Sequence, residues 1–475
     1  MATSVKELYE DKEAEESFRD HLSTVDETGK RIWVYPKKPK GKLTNYRQLV
    51  AFLLLLILFG SPFLKVDGQP FLLFNFIERK FIIFGQIFWP QDFFLAVIGM
   101  ITMVVIIVLF TVVFGRIFCG WVCPQTIFME WVFRRVEYWI EGDYMAQKVL
   151  DKQPWNSKKI FKKGTKHFIF ILISALIMHT FVAYIIGVDE TWDLIRSGPS
   201  NEIVGFISMV VLTGLFYGVF AGMREQVCTT ICPYGRLQGV LLDRQSIVVA
   251  YDHQRGEPRG KFRKDEDRDA ANKGDCIECK QCVYVCPTGI DIRNGTQLEC
   301  VNCTACIDAC NSIMDKIGKP QGLIRYASEQ NIADKLAFRF TGKMKAYSAV
   351  LILLTGFLIA LLLIRTDFET TILRTPGMMY QKRDDGTITN LYQVKLVNKT
   401  NLDKDVSLEL IEPKGKLEMV GNKIKLEKQG IGQGAFFVVV DPENLEKMST
   451  QIEIGVYSEG ELIETVKTKF LGPAK

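Results

Sequence analysis

Eight cysteines with regular spacing lie between residues 276 and 310, and their pattern is that of iron–sulfur ligands. The first run has the form C-x2-C-x2-C-x3-C and consists of Cys276, Cys279, Cys282 and Cys286. The second run repeats this spacing with Cys300, Cys303, Cys306 and Cys310. When two such runs occur together, the fourth cysteine of each ligates the other cluster. We therefore assign Cys276, Cys279, Cys282 and Cys310 to one [4Fe–4S] cluster, and Cys300, Cys303, Cys306 and Cys286 to the second.

Zinc binding and a disulfide framework are the alternative uses of so many cysteines. Zinc sites usually pair two C-x2-C units across a longer gap, and eight closely spaced thiols overfill a tetrahedral site. The spacing therefore predicts a bacterial-type dicluster ferredoxin module. Cluster thiols require a reducing compartment, so we expect this module to face the cytoplasm.

The other four cysteines form two C-x3-C-P motifs, each at the end of an apolar run. Cys119 and Cys123 precede Pro124, and Cys228 and Cys232 precede Pro233. Each proline disfavours helix at the cysteine before it, which allows the two thiols of a motif to approach each other. Thiolates select Cu(I), zinc or iron–sulfur species. The two motifs predict a shared site for a soft metal, with Cu(I), zinc and iron–sulfur species as candidates; a reversible disulfide and plain helix packing stay open.

Five long apolar runs position these motifs and indicate a membrane protein. The runs cover Leu49–Leu64, residues 93–115, Phe168–Gly187, Ile203–Met223 and Ala346–Ile364. About 20 apolar residues cross the hydrocarbon core of a bilayer, and the first run reaches this length with its neighbours. The first two runs and the next two resemble a parallel repeat, whose axis would bring the C-x3-C-P motifs together.

The charges of the loops predict the orientation of the chain. The segments before run one and between runs two and three are rich in Lys and Arg, whereas Asp189, Glu190 and Asp193 lie between runs three and four. By the positive-inside rule the N-terminus and the ferredoxin module are cytoplasmic, and everything after run five is periplasmic. The acidic first 30 residues are unlike a signal peptide. The net charge of +5 gives no indication of nucleic-acid binding.

The expected architecture is multidomain. It combines a five-helix α-helical membrane domain with an inserted cytoplasmic α+β dicluster ferredoxin module and a C-terminal all-β immunoglobulin-like sandwich, which alternating apolar residues indicate. The predicted boundaries are a cytoplasmic tail at 1–48, a four-span membrane domain at 49–250, the linker and ferredoxin module at 251–343, a fifth helix at 344–365 and the sandwich at 366–475.

Two features outside the cysteine motifs stay without a firm role. Residues 71–90 are strongly aromatic, which predicts an interfacial helix or a short hairpin against the outer headgroups. His179 lies inside the third run, where a polar group is a functional candidate by default, although a helix–helix hydrogen bond explains it equally well.

The motifs together resemble a known family. The phrases RGEPRG at 255–260 and IFWPQDF at 87–93, the C-x3-C-P pairs, the ferredoxin runs and the terminal sandwich are similar to the FixG-like cytochrome c oxidase accessory proteins. Asn311 stands where a proline would follow the last cysteine, which affects a turn and no ligand. The resemblance implies a multi-pass protein of the bacterial inner membrane, needed for maturation of the cbb-type oxidase. It also implies one-electron reduction of Cu(II) to Cu(I) on the cytoplasmic side. The catalytic copper site would then consist of Cys119, Cys123, Cys228 and Cys232.

Two other functions are open at this point. The chain could be the electron-transfer subunit of a quinol-oxidising respiratory complex, or a non-redox scaffold for oxidase assembly. The partners we expect are the lipid bilayer, a cytoplasmic electron donor, and copper-handling or oxidase assembly proteins. The identity of the donor, the cluster potentials and the oligomeric state, a homodimer among the options, are not fixed by the sequence.

Overall fold

A computed structural model describes residues 24–473, except 27, 67, 78, 90–91, 264–266, 269, 336–340, 365–367, 378, 401–402, 422–423, 429, 446 and 459. Most of the predicted N-terminal tail, at residues 1–23, therefore lies outside the described residues. The chain divides into two compact units. The first contains the residues up to Phe63 and Ile98–Gly356, and the second contains Leu64–Val97 and the residues from Phe357 onward.

Among the described residues, five helices are long and apolar enough to cross a membrane, which agrees with the predicted number. We number these spans 1 to 5: Lys42–Phe63, Phe93–Phe114, Ser157–Ile186, Ile203–Met223 and Met344–Ile364. At most 22% of any span is buried, so most of its apolar surface is left for lipid. The helix of span 3 begins well before the predicted Phe168, because the Asn156 side chain accepts a hydrogen bond from the Lys159 amide and caps it there.

Shorter helices connect the spans in the first unit. The α-helices are Ile117–Trp121, Pro124–Ile127, Arg134–Ile140, Tyr144–Lys152, Val188–Asn201 and Pro233–Leu241. Three π-helical segments lie at Phe128–Phe133, Val219–Met223 and Val227–Ile231. Such segments are rare and occur frequently at functional sites. Here one follows helix Pro124–Ile127, one forms the end of span 4, and one contains Cys228 of the second C-x3-C-P motif.

The ferredoxin region is α+β. Strand Val248–Tyr251 pairs antiparallel with Ile324–Ala327, and the helices are His253–Gly256, Gln281–Tyr284, Ala305–Lys316 and Glu329–Asp334. Between the last two of these helices the chain forms strand Ile324–Ala327. Ile324 and Ala327 are buried at the two ends of that strand, where pairing with Val248–Tyr251 outweighs helical propensity.

The second unit contains a β-sandwich, as expected. One sheet consists of Gly415–Val420, Ile431–Val440, Ile388–Asn398 and Phe368–Arg374, with Gln381–Lys382 beside Ile388–Asn398. The other consists of Lys425–Leu426, Lys404–Glu412, Ser449–Ser458 and Glu461–Leu471. Tyr392, Phe436 and Phe470 are fully buried in the shared core. The sequence contained no cysteine here, and packing of this core alone holds the sandwich.

Residues 71–90 form strands, so the hairpin alternative agrees with the structure and the interfacial helix is wrong. Leu72–Asn75, Lys80–Ile83 and Gln86–Phe88 make a three-stranded antiparallel sheet. Leu73, Ile82 and Ile87 are buried between them and contact Trp89. Asp92, at the end of this segment, lies 2.8 Å from the ammonium of Lys399, which also pairs with Glu369 at 3.1 Å. A buried ion pair thus joins the segment between spans 1 and 2 to the sandwich within the second unit.

Candidate iron–sulfur and thiol site

The two ferredoxin runs fold into matching loops. Glu278 and Lys280 in the first run have positive φ, and Asn302 and Thr304 hold the same positions in the second. Left-handed residues are uncommon outside glycine, and in alternation with right-handed ones they turn successive amides toward one point, which suits an anion. Each loop then enters a short helix, Gln281–Tyr284 or Ala305–Lys316. The backbone of both runs is therefore shaped to surround a negatively charged group.

The structure brings the eight cysteines together in two groups. Cys310 interacts electrostatically with Cys279 and Cys276, and Cys282 interacts with Cys310 and Cys279. In the other group Cys306 interacts with Cys303, Cys300 and Cys286, and last with Cys282, where the groups adjoin. The fourth cysteine of each run therefore lies with the first three of the other. We call these group A (Cys276, Cys279, Cys282, Cys310) and group B (Cys300, Cys303, Cys306, Cys286).

Burial makes these thiols poor anions without a cofactor. It raises the pKa of Cys303 to about 11 and the pKa of Cys282 and Cys310 to about 12. Nearby thiols raise these pKa values further, while Arg47 opposes the shift at Cys303. A bound iron–sulfur cluster supplies positive charge that stabilises four thiolates together. The buried thiols and left-handed loops fit such a group.

The four remaining cysteines converge at one place, which we call the thiol quartet (Cys119, Cys123, Cys228, Cys232). Cys228 interacts electrostatically with Cys123, Cys119 and Cys232, and Cys123 interacts with Cys232. The two motifs also have matching backbones. Cys123 and Cys232 are extended, with ψ of 125° and 113°, and each is followed by a proline that begins a new helix. The proline effect expected from the sequence is therefore present in both motifs.

The thiol quartet lies directly against group B. Cys119 and Cys228 pack on the cluster of buried residues that contains Cys303, with Cys306 beside them. Gly120 approaches the ferredoxin loop so closely that a Cβ there would lie 2.5 Å from the Val301 carbonyl oxygen. Arg47 donates from Nε to the Gly120 carbonyl at 3.0 Å. No connecting segment separates the two thiol groups.

Several buried donors around these groups lack a partner among the described residues. They are Arg47 Nη2, Gln238 Nε2, Asn302 Nδ2 and Thr304 Oγ1. The residues that carry them are at most 2% exposed, and an unpaired donor at such depth is costly. Gln238 also accepts a hydrogen bond from Cys119 Sγ at 3.2 Å through Oε1. Anionic sulfur at group B and at the thiol quartet would satisfy donors of this kind.

The thiols do not form a closed cage for a bare metal ion. In the part of the chain that the structure describes, no three His, Cys, Asp or Glu side chains are arranged to hold one ion. Burial raises the pKa of Cys119 and Cys228 to about 12, with the neighbouring cysteines adding to the shift. Any metal at the thiol quartet therefore has to displace protons, and metal binding to thiols is accordingly dependent on pH.

A buried ion network connects the segments around the two C-x3-C-P motifs to the ferredoxin loop. Glu225, from the segment before Cys228, pairs with Arg134 at 3.3 Å and with Arg31 at 2.7 Å. Arg134 also contacts Glu130 and donates to the carbonyl of Pro287, the residue after Cys286, at 3.0 Å. Arg134 and Glu225 are no more than 2% exposed. This network holds both C-x3-C-P segments in position beside group B.

Sequence reasoning missed the residues that surround the thiols. Gln238, Arg47 and Arg134 come from three separate segments, and nothing in their spacing connects them to a cysteine. Buried polar side chains in highly apolar surroundings were the available signal, but their depth is a property of the tertiary structure. His179, a candidate from the sequence, lies in span 3 beside a different cavity.

These features define a class: a multi-pass membrane protein that carries iron–sulfur clusters and transfers electrons. A family model for a 4Fe-4S dicluster domain matches residues 223–329, and one for a 4Fe-4S binding domain matches residues 96–143. A third, described as the IG-like fold at the C-terminal of FixG, a putative oxidoreductase, matches residues 358–473.

Similar proteins extend over most of the chain. The nitrogen fixation protein FixG of Rhizobium meliloti is 33% identical over 80% of this chain and 79% of its own length. Protein RdxA of Cereibacter sphaeroides is 36% identical over 79% of this chain and 81% of its own. The ferredoxin-type protein NapH of Escherichia coli is 23% identical over 46% of this chain and 66% of its own. The chain belongs to the FixG family.

Proposed function

We propose that groups A and B each hold one [4Fe–4S] cluster and that the chain reduces Cu(II) to Cu(I) at the thiol quartet. When bound, the clusters supply one-electron transfer, and copper reduction is a one-electron step. The observation that carries the proposal is the packing of Cys119 and Cys228 against the buried residues around Cys303 and Cys306. This contact gives electrons a short path from the ferredoxin region to the copper.

Each part of the thiol quartet has a defined task in this proposal. Thiolates bind Cu(I) in preference to Cu(II), so Cys119, Cys123, Cys228 and Cys232 favour the product of the reduction. The Gln238 amide can donate to a thiolate once Cys119 has lost its proton. Arg47 and Arg116 place positive charge beside the site, and Arg116 lowers the pKa of Cys119 against the larger effect of burial.

The proposal includes a cytoplasmic electron donor. A cavity of about 510 Å³ has Val285 and Ala309, neighbours of Cys286 and Cys310, in its wall. Lysines surround it: Lys37, Lys38, Lys40 and Lys316. An acidic redox protein could dock there by charge complementarity, which mainly increases the rate of association. The lysine-rich loops also support the proposed orientation, with the ferredoxin region in the cytoplasm and the sandwich in the periplasm.

The proposed role is a step in cbb-type oxidase assembly, with copper-handling or assembly proteins as partners. The sandwich is proposed to make those protein contacts. If the chain were only a scaffold, neither the full chain nor a chain truncated after span 5 would reduce copper. The truncation would then abolish the effect of the protein on the oxidase. We expect copper reduction to persist in that truncated chain.

A third iron–sulfur cluster at the thiol quartet is the second candidate, because the 4Fe-4S binding model covers Cys119 and Cys123. Metal analysis and EPR of the purified protein, with and without added copper, distinguish the two. The proposal expects about eight iron atoms per chain, four for each cluster, and binding of added copper. About twelve iron atoms and no copper binding would contradict it. Thr229→Ala, between Cys228 and Cys232, is the control that keeps every thiol.

A further inference from the structure

The first unit contains a cavity inside the membrane region that the proposed function does not use. It lies between spans 3 and 4 and helix Val188–Asn201, and its volume is about 460 Å³, within the range of about 300–1,000 Å³ common for small-molecule sites. Met209 is buried at its wall, whereas Phe206 and Ile171 are each more than 40% exposed. The cavity therefore opens sideways toward lipid, where a lipid-soluble molecule can enter.

One end of the cavity carries a pair of groups that can move a proton. The Tyr217 hydroxyl lies 2.9 Å from His167 Nδ1. Lys166, which directly precedes His167 in the sequence, is buried and pairs with Glu141 at 3.0 Å and Glu137 at 3.5 Å. A proton taken up by Tyr217 and passed to His167 therefore arrives beside a network of ionised groups.

The other end carries a single histidine. His179 Nδ1 lies 2.6 Å from the Ala175 carbonyl oxygen, which only accepts hydrogen bonds. The ring therefore donates from Nδ1 and keeps Nε2 as an acceptor. His179 and His167 are twelve residues apart on one helix, about 18 Å at 1.5 Å per residue. A single aromatic ring cannot contact both ends, so a ligand with a polar head and an apolar tail fits the cavity best.

We propose that this cavity binds a membrane quinol, which supplies electrons to the iron–sulfur clusters in addition to any cytoplasmic donor. Oxidation breaks both O–H bonds of the quinol. It yields the quinone, two protons and two electrons. The protons leave in turn through Tyr217 and His167, and the electrons pass singly to the two clusters. This electron route rests on the proposed function, because two reduced clusters then reduce two Cu(II) ions.

The head group occupies the Tyr217 end of the cavity. Tyr217 lies toward the Met223 end of span 4, and Cys228 follows five residues after that end. The proton pathway from Tyr217 to His167 also begins at this end of the cavity, whereas His179 lies at the opposite end. The tail then passes Gly214 and Met209 toward His179. The two histidines of span 3 thus take different roles, His167 in proton transfer and His179 at the tail end.

Two glycines one turn apart on span 4 provide the test. Gly214 lines the cavity and Gly218 does not. A Cβ at either position meets no atom within 4 Å, so neither backbone position excludes a side chain at its first carbon. Full-length protein in nanodiscs that contain a quinone is purified, and the quinone retained per chain is extracted and measured. Cluster reduction by a short-chain quinol is followed by EPR without copper, and dithionite provides full reduction as reference.

Gly214→Leu is expected to lower both quinone retention and the rate of quinol-driven cluster reduction about tenfold or more, and Gly218→Leu to leave both unchanged. Tyr217→Phe is expected to retain quinone and slow reduction by quinol alone. Equal retention in the two glycine variants, or retention of lipid only, would overturn the proposal. These assays contain no copper, so they can be interpreted even if the protein does not reduce copper. Conversely, if the protein binds no quinol, copper reduction can still be tested with protein that dithionite has reduced.

Discussion

The contact between Gly120 and the loop Val301–Asn302 is the structural basis for electron transfer to the thiol quartet, and Gly120→Ala tests it. The added Cβ would lie 2.5 Å from the Val301 carbonyl oxygen and 2.8 Å from that of Asn302. Both atoms belong to backbone between Cys300 and Cys303, so neither can move away as a flexible side chain could. The substitution must therefore separate the C-x3-C-P segment from the group B loop.

The expected cost follows from overpacking. One extra carbon in a close-packed site costs about 1–3 kcal/mol, and the better helix propensity of alanine recovers up to about 1 kcal/mol. With the full gain subtracted, the net loss is up to about 2 kcal/mol, which changes the ratio of folded to unfolded protein by up to roughly thirtyfold. Gly99→Ala is the matched control, since a Cβ at Gly99 in span 2 meets nothing within 4 Å.

Two measurements on detergent-solubilised protein check this prediction. Thermal loss of the cluster absorbance reports stability, and rapid mixing of reduced protein with Cu(II) reports electron transfer. We expect Gly120→Ala to melt lower and to reduce copper more slowly, with its iron content intact before heating. If Gly120→Ala and Gly99→Ala behaved alike in both assays, the inference that close backbone contact connects the two sites would be refuted.

Three further predictions concern buried polar groups. Gln238→Leu removes the amide beside Cys119 and should weaken copper binding about 10–100-fold, with unchanged iron content; equal affinity would contradict its role. Burial opposes ionisation of Glu137, but Arg224 and Lys166 outweigh it and hold its pKa below the ordinary value. Its stabilisation is therefore complete above about pH 4.3 and lost as pH falls through the lowered pKa, and Glu137→Gln should abolish this acid dependence in unfolding experiments. Lys399→Met removes the buried ammonium that pairs with Asp92 and Glu369 and should lower the free energy of unfolding by about 3–5 kcal/mol. Lys467→Met, at an exposed ion pair, should change it little.

The sequence predicted the elements whose signal is local. Span number follows from apolar length, and the strands of the sandwich follow from alternation, as in Ser449–Ser458 and Glu461–Leu471. The exchange of Cys286 and Cys310 between the two cysteine groups follows from spacing alone. The proline after Cys123 and the one after Cys232 predicted the extended backbone at each. These features needed no knowledge of distant residues.

The features that the sequence did not reveal depend on contacts between distant segments. Ile324–Ala327 is a strand because Val248–Tyr251 pairs with it. Arg134 is buried where Glu130, Glu225 and the Pro287 carbonyl pair with the two Nη atoms of its guanidinium. The packing of Cys119 and Cys228 on group B depends on contacts among three distant segments: the two C-x3-C-P motifs and the ferredoxin loop. Spacing identified all twelve cysteines, whereas only the tertiary structure shows that the thiol quartet adjoins group B.

The central claim, that electrons leave group B for copper through the thiol quartet, has one direct test. Protein with both clusters reduced by dithionite and freed of excess reductant is mixed with Cu(II), while cluster reoxidation and Cu(I) formation are followed together. The wild-type chain should form about two Cu(I) per chain as its two one-electron clusters reoxidise. The variant with Cys119, Cys123, Cys228 and Cys232 all changed to Ser should keep its clusters reduced and form almost no Cu(I). Copper reduction at the wild-type rate in that variant, with both clusters present, would contradict the account.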